Sequence, residues 1–235
     1  MYGKEFGVMF GEKHSYRDYG LILSEKDMGA PEPRTNMIDV PLRDGSIDMT
    51  DALTKDIKYK DRQIKLTFHF PGGKDKWADK MSELQNALNG KRMPLIFDDD
   101  ISYYYDGRIT VNEWQSVGST GKIVVDITAD PFKYDLISSA AEWEWDTFDF
   151  ETGIINEGGN IEVNGTATVK IIGRRKRSYP IITASEAMTV TYDKETFNLK
   201  KGENKVYDII FMEGENELTF KGTGTVSVDY IGGSL

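Results

Sequence analysis

The chain has 235 residues, 39% of them hydrophobic, no cysteine and a formal net charge of −10. That length suits one large all-β domain or two modest ones, with enough apolar material for a core. The absent cysteines exclude disulfides, thiolate metal sites and cysteine nucleophiles. The acidic balance argues against nucleic-acid binding, which needs a basic face to displace the counterions on phosphate.

In chain order, the start from Met1 to Gly11 lacks a basic stretch followed by an apolar run, so no secretory signal is expected. No window approaches the roughly eighteen consecutive apolar residues of a spanning helix, so no membrane insertion is expected. Ile64, Leu66, Phe68 and Phe70 alternate with Gln63, Lys65, Thr67 and His69, the pattern of a strand with one buried face. From Lys74 to Asn89, Trp77, Met81, Leu84 and Leu88 fall on one helical stripe. Asn89-Gly90 supplies a C-terminal stop and Pro94 blocks continuation. Ile123, Val125 and Ile127 alternate again, and Asp130-Pro131-Phe132 turns the chain at a domain boundary between Asp130 and Ser139. Trp143 and Trp145 share one parity while Phe148 and Phe150 take the other, which predicts a bulge or turn at Asp146-Thr147. Ile161, Val163, Ala167, Val169 and Ile171 form a further strand face, as do Met188, Val190 and Tyr192, and Val226, Val228 and Tyr230. Glycine signals such as Gly72-Gly73, Asn164-Gly165 and Gly158-Gly159 separate these runs and favour antiparallel sheets. Lys201-Gly202-Glu203-Asn204 is echoed twelve residues later by Glu213-Gly214-Glu215-Asn216, two turn-then-strand units that suit a β-sandwich.

Residues that could carry chemistry are sparse. His14 and His69 lack neighbouring ligand motifs. There is no nucleophile elbow, phosphate-binding glycine loop or His-Glu-x-x-His motif. Asp98-Asp99-Asp100 follows an apolar strand, and Glu142, Glu144 and Asp146 alternate with tryptophans. A glycosidase needs two carboxylates facing each other across a sugar, and adjacency in sequence gives no such distance. The expectation is no enzyme, no cofactor and no metal. Arg174-Arg175-Lys176-Arg177 is the one basic concentration, either a solvated hairpin tip or a contact for an acidic partner. Tyr103-Tyr104-Tyr105 reads either as an interface strand or as core with Tyr104 at the rim.

Several signals occur in a recognisable order. Phe10-Gly11-Glu12-Lys13-His14-Ser15 and Gly20-Leu21-Ile22-Leu23 are followed by Val40-Pro41-Leu42-Arg43-Asp44-Gly45-Ser46-Ile47-Asp48. Then come Tyr59 and Arg62, the helix closing at Asn89-Gly90-Lys91, Asp98-Asp99, the three tyrosines, Gly107-Arg108 and Asp130-Pro131-Phe132-Lys133-Tyr134. In that order they resemble the distal tail protein family of long, non-contractile bacteriophage tails and their prophage relatives. The family often has glycine where this chain has Leu42. Toward the C-terminus the resemblance is looser, through Leu199, Gly202 and Asn204, then Gly222, Gly224, Val226, Val228, Tyr230, Gly233 and Leu235.

The resemblance implies a mainly β protein of two domains. Residues 1–135 would be an N-terminal, β-sandwich-like, ring-forming domain with one α-helix, and residues 136–235 a C-terminal galectin-like β-sandwich. It implies a ring, typically hexameric, at the virion tail tip, built in the host cytoplasm. Its partners would be further copies of itself, the tail-tube protein, the tail-associated spike or lysin protein and a receptor-binding protein. The extended stretch from Asp44 to Arg62, weakly patterned around Met49, Ala52 and Leu53, reads as a hairpin arm crossing between subunits. Arg43, Asp44 and Tyr59 are the expected arm residues, and Arg174, Arg175, Lys176 and Arg177 a second contact. The alternative is a tandem carbohydrate-binding module, in which Trp143 or Trp145 would carry sugar affinity.

Overall fold

The computed structural model describes residues 6–139 and 158–235, apart from 53, 72, 118 and 119. The chain is mainly β, with one α-helix among the described residues, as the sequence pattern predicts. It divides into two compact units, Met1–Lys133 with Leu235, and Tyr134–Ser234.

In the first unit the strands are β1 (Val8–Phe10), β2 (Lys13–His14), β3 (Ile22–Met28), β4 (Met37–Ile38), β5 (Ile47–Asp48), β6 (Arg62–Phe70), β7 (Arg92–Phe97), β8 (Tyr103–Val117) and β9 (Thr120–Ala129). Seven of them follow one antiparallel path, β2-β1-β7-β8-β9-β6-β3, while β4 and β5 pair only with each other. The alternation in β6 and β9 is matched across the ladder, with Ile64 opposite Ile127, Leu66 opposite Val125 and Phe68 opposite Ile123. Three strands separate β1 from β6 in the sheet, yet the rings of Phe10 and Phe68 lie 6.1 Å apart. The sheet is therefore rolled, and its two halves face each other across one core in the manner of a sandwich.

A 3-10 turn, Lys74–Lys76, leads into helix α1 (Trp77–Leu88), so the expected helix begins one tight turn late. Its stripe packs into the same core, and Trp77 meets Trp114 of β8 edge-to-face at 5.2 Å. The stop at Asn89-Gly90 is fastened to the sheet. Asn89 Oδ1 accepts the Val111 N–H at 3.0 Å, and the Gly90 N–H donates to Ile109 O at 2.8 Å.

A short strand, β10 (Lys133–Asp135), crosses the boundary, and the second unit continues with β11 (Ile161–Gly173), β12 (Ile181–Ala184), β13 (Met188–Tyr192), β14 (Glu195–Leu199), β15 (Gly202–Lys205), β16 (Gly214–Asp229) and β17 (Gly233–Ser234). Strand β13, with β14 beyond it, pairs with β16 at 219–221, and β12, with β15 beyond it, pairs with β16 at 226–229. Strand β11 runs along the other edge of β16 for its whole length, from Ile161 opposite Val226 to Gly173 opposite Gly214. Two long strands thus carry both halves of the unit, with Phe220, Val190 and Leu199 from one half and Val228, Ile182 and Ala184 from the other in one core. Trp143, Trp145, Glu142, Glu144 and the parity change at Asp146-Thr147 lie outside the described residues.

The twelve-residue echo is one motif used twice. Gly202 and Gly214 each adopt positive φ, 95° and 96°, a conformation glycine takes without a Cβ clash. Two residues on, the Asn204 amide donates to Lys200 O and Gly202 O, both at 2.8 Å, and its Oδ1 accepts the Lys200 N–H at 2.8 Å. Asn216 does the same to Met212 O at 2.8 Å, Gly214 O at 3.0 Å and the Met212 N–H at 3.0 Å.

Candidate functional site

Among the described residues, the longest run without a buried side chain lies between β3 and β6. Gly29 closes β3 by donating its N–H to Gln63 O at 2.9 Å, and a Cβ there would sit 2.6 Å from that oxygen. The chain then leaves the sheet and returns only at Arg62. None of the described residues from 30 to 61 is buried. The excursion is longer than the expected arm because its outgoing limb, from Ala30, is as exposed as its return.

The root of this arm is a short ladder. Pro33 bridges Tyr59, the Arg34 N–H donates to Lys58 O at 2.7 Å, and the Lys60 N–H donates to Glu32 O at 2.8 Å. Outside the ladder, Lys60 Nζ contacts Glu32 Oε2 at 2.8 Å and holds that carboxyl below the usual carboxylate range. Farther out β4 and β5 form a two-stranded ribbon, with Met37 opposite Asp48 and Ile38 opposite Ile47. At its tip the Arg43 N–H donates to Val40 O at 3.2 Å and the Ser46 hydroxyl to Asp39 Oδ1 at 2.7 Å. Arg43 and Asp44 therefore sit at the tip and Tyr59 at the root. Met49 and Ala52 are exposed along the return limb; Leu53 lies outside the described residues.

The root is tied to the unit by motif residues from distant parts of the chain. The Tyr59 ring meets Phe132 edge-to-face at 5.8 Å. Arg62, only 7% exposed, donates to Pro131 O from Nε at 3.3 Å and Nη2 at 3.1 Å, and its guanidinium lies 5.4 Å from the centre of the Tyr105 ring. Burial pushes the Tyr105 hydroxyl pKa up while Arg62 pulls it down. Arg92 spans Asp106 at 3.0 Å and Asp130 at 2.6 Å, and both carboxylates raise its pKa. Lys133 pairs with Asp100 at 2.7 Å and lies 3.9 Å from the Tyr103 ring centre. Of the three tyrosines, only Tyr105 is buried.

The acidic triplet does not converge. Asp98 accepts from His14 Nε2 at 3.0 Å and the Gly7 N–H at 2.8 Å, Asp99 pairs with Lys26, and Asp100 with Lys133. His14 is 1% exposed, and its Nδ1 accepts the N–H groups of Tyr16 and Arg17 at 3.1 Å each. With Nδ1 an acceptor, Nε2 carries the proton and donates to Asp98. This histidine fixes a turn.

In the second unit Arg174 meets both oxygens of Asp135 at 3.3 Å, and Arg175 lies 3.6 Å from Glu213. The Lys176 ammonium stands 4.7 Å from the Tyr134 ring centre, and the Lys176 N–H donates to Gly233 O at 2.9 Å. The basic run, Arg177 included, is half-buried. Spacing alone does not reveal Asp135 as the partner of Arg174, since they stand 39 positions apart.

Residues 10–125 match the model of the phage tail protein RIFT-related domain. Most of the first unit thus matches a phage tail domain. Across its full length the chain has the fold of a solved phage protein, SPP1 Dit, a paradigm of the hub adsorption apparatus in phages that infect Gram-positive bacteria. The TM-score is 0.67 at 12% identity, over 98% of this chain and 99% of that one. The resemblance to the distal tail protein family holds in the domain it carries and in the fold of the whole. No curated protein matches the sequence.

Proposed function

We propose that this protein is a structural part of a phage or prophage tail tip, whose copies close into a ring, most simply of six, between the tail tube and the adhesion apparatus. The observation that carries this reading is the arm at 30–61, which buries none of its described residues and is fastened at one end to a phage tail domain. A closed ring needs two different complementary patches on every copy, one offered and one received. The arm serves as the offered patch, with Arg43 and Asp44 at its tip and Tyr59 fixing its root.

Residues 1–135 form the ring in this reading, and residues 136–235 a peripheral, galectin-like sandwich. The tail-tube protein meets one face of the ring and the spike or lysin protein the other. A receptor-binding protein docks at the periphery, where the run from Arg174 to Arg177 offers a contact. The work is placement rather than turnover, at the virion tail tip after assembly in the host cytoplasm. Light-scattering mass over a concentration series, with negative-stain imaging, tests it. Annular multimers are expected, and a chain that stays monomeric at every concentration removes the ring.

One observation favours a second reading, carbohydrate binding. Tyr179 and Tyr207 are 49% and 67% exposed with ring centres 6.3 Å apart, and Lys205 lies 5.6 Å from the Tyr207 ring centre. Exposed aromatic faces stack on sugar rings. Retention on insoluble polysaccharide that Tyr207→Ala abolishes would favour this reading over the ring.

A further inference from the structure

Leu42 combines two features that are each uncommon. Its φ is 67°, in the left-handed region where a Cβ clashes with the backbone and glycine is preferred. The other described non-glycine residues with positive φ are Lys55, Asn160, Asp193 and Lys194, all polar. Leu42 is also 108% exposed, more open than any other large hydrophobic among the described residues. A leucine gains nothing in the free chain from either feature. Backbone strain that persists at an exposed site points to a use for the side chain.

We infer that Leu42 is the apolar anchor by which the arm tip inserts into a second copy of this chain. This rests on the ring reading, which supplies the neighbouring copy. Met37, Ile38, Val40, Met49 and Ile57 are also exposed on the same arm, so the tip ends an apolar strip left uncovered by its own unit. From the root at Pro33 to Leu42 the chain spans at most about 30 Å when extended, roughly the diameter of a small domain. The tip therefore reaches a neighbour while the root stays fixed. One charge of each sign, Arg43 and Asp44, follows the anchor, so the tip is not repelled by a partner whose net charge is −10. That arrangement gives an apolar centre with a polar rim. The left-handed turn pushes the leucine side chain outward at the apex.

The test compares the full chain with Leu42→Gly, Leu42→Asn and Leu42→Met. Self-association is read by sedimentation and folding by the thermal midpoint. Glycine and asparagine both tolerate the turn, so neither variant should lower the midpoint. Both should weaken self-association by roughly 10- to 100-fold, the effect of leaving one leucine unburied, while methionine should stay near the parent. If the glycine and asparagine variants associate as tightly as the parent, Leu42 is only a strained turn residue and this inference fails while the ring stands. A parent chain that does not self-associate at any concentration overturns the ring, and the anchor with it.

Discussion

Asn216→Ala should be among the more damaging single changes in the second unit, and Asn204→Ala milder, although the two side chains make nearly the same bonds. Asn216 is 4% exposed and donates to Met212 O at 2.8 Å, Gly214 O at 3.0 Å and Ile171 O at 3.4 Å while accepting the Met212 N–H at 3.0 Å. Its Oδ1 also lies 3.0 Å from the Tyr192 hydroxyl, which donates to Ile210 O at 2.6 Å. Asn204 is half-buried, with bonds to Lys200 O, Gly202 O and Ile182 O at 2.8, 2.8 and 3.2 Å. Bond length alone would make Asn204 the stronger brace. Burial reverses the ranking, because groups stripped of a partner near the surface regain water and groups beneath it do not. A satisfied bond is worth about 1 kcal/mol net, and a buried group left unpaired costs about 1–3 kcal/mol. Each side chain has one buried carbonyl partner, Ile171 for Asn216 and Ile182 for Asn204, but only Asn216 is itself buried and also lies against the Tyr192 hydroxyl, so the Asn216 change sums to about 3 kcal/mol and the Asn204 change to about 2 kcal/mol. Urea denaturation of the full chain, followed by circular dichroism, measures both. Equal losses, or a larger loss for Asn204→Ala, would refute the burial argument.

Burial first, then Asp135, push the Tyr230 pKa up to about 12, with Arg174 opposing. Its hydroxyl donates to Ile172 O at 2.5 Å. Because the folded value lies above the unfolded value of about 10, the stabilisation is complete below pH ~10 and drains as pH rises toward the folded value. An alkaline stability titration should fall over that window, and Tyr230→Phe should make the fall shallower; an unchanged slope would contradict the assignment. Arg62→Met keeps apolar volume but removes the charged donors to Pro131 O, so it should cost about 2 kcal/mol and speed amide exchange at Arg34 and Lys60. Unchanged exchange at those two amides would separate the root ladder from Arg62.

Periodic elements were legible in the sequence because period reports burial directly. The faces of β6 and β9 and the stripe on α1 needed only residue spacing. Thr67 shows the limit. It sits on the face read as polar, yet it is 4% exposed and pairs with the buried Val124 across the ladder. Register shifts between Leu23 and Glu25 and between Val111 and Glu113 were equally hidden, since a bulge depends on the partner strand. The echo at Asn204 and Asn216 was visible as a repeat, but its cause is side-chain bonding to residues four positions back. Around the arm, the order of Tyr59, Arg62 and Asp130-Pro131-Phe132 was readable, whereas their contact is tertiary. At position 42 the sequence shows only a leucine after a proline, and only the backbone reveals its positive φ of 67°.

If copies associate through the arm as proposed, the contrast between root and tip suits it to that role better than a loop of equal length. A two-stranded ribbon is marginal in water by itself. Here the ladder at 32–34 and 58–60, braced by Tyr59 on Phe132 and by Arg62 on Pro131, sets the direction in which the ribbon leaves the unit. That direction does not depend on the ion pair of Lys60 with Glu32, whose side chains are 59% and 73% exposed and so are screened by salt. Backbone bonds and a buried arginine survive the ionic strengths that dissolve surface pairs. A neighbour that binds the tip therefore has only the outer ribbon left to order, and the lower ordering cost leaves more of the apolar contact as net affinity. Association through the arm should accordingly depend on tip residues far more than on salt.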